Sequence, residues 1–125
     1  MKNTFLGLLS LSLLIELVLT LLCFFMPAMA MELFGMQYNV QTAFLGYIIA
    51  WFCLLVSVFI LYCLYLLYTN NVQYKPIIYL LSFWWVGLGL GVYMVFGKID
   101  NLLLDSLKGA LLLLLNYKYK IKNAK

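Results

Sequence analysis

TAFLGYIIAWFCLLVSVFILYCLYLLY, residues Thr42 to Tyr68, holds no charged residue and no proline. An apolar run of ~18 residues or more is long enough to cross a bilayer, and this one is longer. It reads as a membrane-spanning helix. Small residues recur along it at Ala43, Gly46, Ala50, Cys53 and Ser57. Steps of three and four place them on one helix face. Helices in lipid pack through such residues because close backbone approach gives dispersion contact that lipid cannot better. This stripe is the expected central packing face. Tyr62, Tyr65 and Tyr68 near its end suit a membrane–water interface.

The composition around that run agrees with it. The chain of 125 residues is 67% hydrophobic and 10% charged, with a mean hydropathy of +1.07. Soluble domains carry roughly 25% charged residues. The class is integral membrane, and a single domain spans 1–125. The net charge of +4 comes from lysines alone, since there is no arginine. Without arginine to fork onto phosphate or guanine, nucleic acid is not an expected partner. The absence of histidine removes histidine metal ligands and histidine proton chemistry. Cys23, Cys53 and Cys63 all lie in apolar runs without CxxC spacing, so three free thiols are expected. No cofactor and no metal is expected.

Three further helices flank the first reading, giving an all-α, four-helix bundle with helices over 4–26, 42–68, 76–96 and 102–119. The first apolar run starts after Lys2, and Ala28-Met29-Ala30 resembles a signal cleavage site. Its length and the internal Glu16 favour an uncleaved helix. Pro27 should close it near Met26. Residues 27–41, PAMAMELFGMQYNVQ, mix apolar and polar side chains. They suit either a segment lying on the membrane surface or a loop tucked against the bundle. Pro76 suits the first turn of the third helix. Within that helix Gly87 and Gly91 form a GxxxG pair, a packing motif within the bundle or between copies. Phe83, Trp84 and Trp85 read as core or lipid contacts. Gly97 to Asn101 reads as a tight turn before the fourth helix, and a basic tail occupies 118–125.

Four spans put both termini on one side. Lys2, Lys75, Lys118, Lys120, Lys122 and Lys125 share that side, whereas 27–41 holds no lysine and the last turn only Lys98. The positive-inside rule then places both termini in the cytoplasm. The charges deepest within the spans are Glu16 and Lys108. Glu16 lies roughly 21 Å from Lys2 along a helix rising ~1.5 Å per residue, and Lys108 lies roughly 15–21 Å from the tail lysines. They sit at similar depth. A buried charge normally has a partner, so Glu16 and Lys108 are expected to pair, with Asp105 competing from one turn away. The cluster could be a fixed register pair, or Glu16 could be a protonated carboxyl or a proton site.

The proline after helix 1, the stretch Pro27 to Met36 with its Glu-Leu-Phe-Gly core, and the Gly97-Lys98-Ile99-Asp100 turn resemble the BphX-like and DoxX-like families of small bacterial membrane proteins. The resemblance implies a four-helix protein of the bacterial inner membrane and supplies no catalytic residue. Small multidrug transporters also carry one glutamate in helix 1. Here Glu16 sits in Leu-Ile-Glu-Leu-Val, without the small residue that precedes theirs, and Lys108 would offset a cation. The expected function is non-enzymatic: binding of a lipid or apolar small molecule, or service as an accessory membrane subunit. The alternatives are a small proton-coupled transporter using Glu16 and a membrane-embedded isomerase. Expected partners are membrane lipid, an apolar small molecule, and a second copy or another membrane protein.

Overall fold

The computed structural model describes residues 1–119. Lys120, Lys122 and Lys125 of the basic tail therefore lie outside the described residues. Within them the chain is all-helical, in the order α1 (Lys2–Phe25), α2 (Pro27–Leu33), α3 (Val40–Tyr68), α4 (Tyr74–Phe96), α5 (Ile99–Asn101), a π-helical turn (Leu102–Ser106) and α6 (Leu107–Lys118). Three of these, α1, α3 and α4, are long and apolar enough to cross a membrane.

Each boundary has a local cause. Met26 precedes proline and leaves the helical region at φ −134°, which ends α1. Pro27 then opens α2, where its missing N–H costs nothing. The segment read as a surface stretch or loop is thus a short helix, with Ala30 and Met31 fully buried. It ends in a Schellman turn: the Met36 N–H donates to Met31 O, the Gly35 N–H donates to Glu32 O, and Gly35 takes φ +80°. Asn39 caps α3. Its side chain accepts from the Gln41 and Thr42 N–H groups, and Thr42 Oγ1 accepts from the Asn39 N–H. This capping box starts the helix two residues before the apolar run does. Gly97 at φ +68° caps α4. The tight turn expected over Gly97 to Asn101 is shorter, because Ile99–Asn101 is already helical. The fourth helix is also not uniform: a π-helical turn divides it just before Lys108.

The two ends of the molecule are tied separately. At one end Lys2 Nζ donates to Asn70 Oδ1 at 2.8 Å, and Asn116 Nδ2 donates to Lys75 O at 3.1 Å. At the other, Asn101 Nδ2 donates to Leu33 O at 3.2 Å. Helix α1 packs chiefly on α3, and α4 packs on the π turn and α6, while α3 and α4 meet more sparsely. Two apolar cores result. One, toward the Lys2 end, includes Phe5, Leu9, Ile60, Ile78, Leu81 and Leu112. The other, toward α2, includes Cys23, Ala30, Met31, Phe34, Ala50 and Val92. The outward faces carry large apolar side chains such as Phe44, Leu80 and Met94. In water such faces would drive aggregation, and in lipid they are matched to their solvent.

Candidate functional site: a buried charge cluster between two cavities

Between the two cores lies a cluster of buried charge. The buried residues of α1 fall at Phe5, Leu9, Ser12, Glu16, Thr20 and Cys23. That spacing is one helix face, so the packing that buries Phe5 and Leu9 also turns Glu16 inward. Glu16 is 3% exposed. Lys108 Nζ stands 3.7 Å from Glu16 Oε1 and 3.6 Å from Asp105 Oδ1. Both partners that the sequence offers Lys108 are therefore beside it, and it does not choose between them. The ammonium also sits 4.2 Å from the centroid of the Trp85 ring, a cation–π distance. The indole Nε1–H of Trp85 donates to Glu16 Oε1 at 2.8 Å. Four side chains from α1, α4, the π turn and α6 thus form one contact network. Removing Lys108 from such a buried cluster costs about 3–5 kcal/mol, because it strands both carboxylates.

Trp85 is the member that sequence reading missed. Its place shows only in the folded chain, where Ile78, Leu81, Ser82, Trp85, Gly89 and Val92 belong to the buried stripe of α4 and the indole N–H meets Glu16.

The packing residues divide. On α3, Gly46, Ala50, Cys53 and Ser57 are buried and Ala43 is half-buried. Met31 of α2 lies over Gly46, within 3.3 Å of where a Cβ would stand. On α4 the GxxxG pair makes no close contact within the chain. Gly87 and Gly91 are exposed, and a Cβ on either would meet nothing within 4 Å. Gly89 between them makes the close approach instead. A Cβ there would clash with the Ser106 hydroxyl and lie 2.9 Å from the Ser106 backbone N and 3.0 Å from Asn101 O. The π turn brings its backbone against α4 at that point, and Ser106 Oγ donates to Val86 O at 3.1 Å. Position 89 faces the π turn and the end of α5 while 87 and 91 face outward, because neighbours two apart point nearly opposite ways on a helix.

Two cavities adjoin the cluster. The inner one, about 200 Å³, lies among α1, α3 and α4 and is almost wholly apolar. Its wall includes Ile49, Phe52, Cys53, Trp84 and Leu88, and its polar lining comes from Glu16 and Asp105. Phe52 and Trp84 stack across the sparse α3–α4 seam with ring centroids 5.6 Å apart, between this cavity and the membrane-facing groove beside it. The outer cavity, about 610 Å³, opens at the α2 end and is lined by Glu32, Lys98, Asp100, Asn101 and Asp105 among others. The two share Leu19, Phe34 and Asp105. Among the described residues, no three His, Cys, Asp or Glu side chains converge in a way that could hold a metal ion. All three cysteines are free and buried.

Compared with known protein families, curated proteins and solved structures, the chain matches none.

Proposed function

We propose that this chain is a four-helix integral membrane protein, with the segment Ile99–Lys118 as its fourth span, that takes an apolar or lipid-like molecule into the inner cavity. The observation that supports this reading is the inner cavity itself. It is almost wholly apolar, has the stacked Phe52 and Trp84 in its wall, and includes two carboxyls in its lining. Its volume equals roughly seven waters at ~30 Å³ each, which suits one end of a narrow chain rather than a bulky ring system. The carboxyls and Lys108 would meet a polar end group, fixing which end enters. The lysine distribution supports a cytoplasmic position for both termini.

Native mass spectrometry of the protein in mild detergent, with extracted lipids identified, tests this. The expected result is a stoichiometric adduct that disappears in Cys53→Phe, which fills the cavity from α3. A stable protein that carries no adduct, or an adduct untouched by Cys53→Phe, would overturn it.

A second reading is proton-coupled transport through Glu16. The outer cavity favours it, since it reaches Asp105, which shares Lys108 with Glu16, from the end of the molecule. Substrate efflux that Glu16→Gln abolishes would support transport over simple binding.

A further inference from the structure

The chain carries net charge +4 and only four acidic residues. All four line the two adjoining cavities: Glu16 and Asp105 the inner, and Glu32, Asp100 and Asp105 the outer. Asp105 belongs to both, so it stands where water from the α2 end first meets the buried cluster. We propose that the Glu16–Lys108–Asp105 cluster is a proton-binding site open to water from one face only, the face that bears α2 and the Gly97–Asn101 turn. This goes beyond the ligand reading and stands whether or not an apolar molecule binds.

Stoichiometry supports uptake of a single proton. Two carboxyls share one ammonium, so the fully ionised cluster carries one uncompensated negative charge. Net charge is costly at this depth, and one added proton removes it. The proton comes from cavity water, forms an O–H bond on a carboxylate, and breaks no bond within the protein. Geometry favours Asp105 as the holder. Glu16 accepts from the Trp85 N–H, whereas Asp105 faces the outer cavity. Lys108 Nζ has both carboxylates at ion-pair distance, yet it makes no hydrogen bond within the described residues. Its unused N–H donors suit water that reaches the site. The other titratable groups facing the cluster and its cavities are Cys53 from α3, Glu32 from α2, and Lys98 and Asp100 from the turn. The face from α4 is the Trp85 indole, which does not titrate.

Toward the opposite end the path is closed. Leu9, Ile60, Ile78 and Leu112 are all fully buried and contributed by α1, α3, α4 and α6. Phe5 and Tyr74 pack edge to face beyond them, with centroids 5.7 Å apart. A proton arriving from the Lys2 end would have to cross this apolar layer.

Trp85 is a built-in reporter, since protonating Asp105 leaves Lys108 to Glu16 alone and shifts the ammonium over the ring. The test uses the full chain with Trp51→Phe and Trp84→Phe, reconstituted in phosphatidylcholine vesicles. External trypsin, which trims the lysine-rich tail, counts the molecules whose tail faces out. External acidification alone should change Trp85 emission in the tail-protected fraction, and the remainder should follow only after a protonophore is added. Asp105→Asn should lose the response, and Asp105→Glu should keep it. No response, a response confined to the tail-exposed fraction, an immediate response of all molecules, or a response that persists in Asp105→Asn would overturn the proposal.

Discussion

Glu16 and Lys108 show how little freedom a charge has in this environment. Each needs a partner, and the cluster gives Lys108 two carboxylates and an aromatic face. The energetic coupling should be measurable. In detergent-solubilised protein, Glu16→Gln and Lys108→Met should each destabilise, and the double variant should cost less than the sum by ~0.5–3 kcal/mol. Additive losses would mean that the 3.7 Å contact carries no energy. Trp85→Phe keeps the ring but removes the donor to Glu16. It should cost about 1.5–3 kcal/mol, the range for a hydrogen bond to a charged group, read from the shift in thermal unfolding. The depth match of Glu16 and Lys108 was legible from residue spacing alone. The part played by Trp85 was not, because three adjacent aromatics in an apolar run give no sign of which one points inward until the neighbouring helix is in place.

At the scale of the element, glycine spacing misleads and packing decides. The GxxxG pair on α4 faces away from the rest of the chain, while Gly89 and Gly109 carry the close contacts. A Cβ at Gly109 would lie 2.8 Å from Ser82 O and 2.9 Å from Val86 Cγ2. Gly89→Ala and Gly109→Ala should each destabilise by ~1–3 kcal/mol, as overpacking does. Gly87→Ala and Gly91→Ala should be neutral or stabilising by up to ~1 kcal/mol, because alanine is the better helix former. Thermal unfolding of the four variants side by side checks both halves. Helix starts were partly readable: Asn39 and Thr42 form a capping box whose residue types stand plainly in the sequence. The π-helical turn was not, since Leu-Leu-Leu-Asp-Ser carries no local signal for a wider turn and the deviation serves the contact with α4.

For the molecule as a whole, the lysine distribution predicts an orientation that can be tested directly. Reporter fusions at either terminus should be active on the cytoplasmic side, and moving lysines from the tail into residues 36–39 should invert or mix that orientation. What the sequence determined by itself is the solvent: long apolar runs, few charges and lysines gathered at one end specify helices in a membrane, because backbone hydrogen bonds must close internally there. It also determined that Glu16 and Lys108 lie at one depth, since helical rise is fixed. Only the tertiary structure decided that Asp105 and Trp85 join them, that Gly89 and not the GxxxG pair makes the close contact, and that the four acids line two adjoining cavities. Those outcomes depend on how helices are rotated about their axes. Rotation is set by side-chain fit between helices distant in sequence, and an apolar run exposed to lipid on any face leaves it almost unmarked.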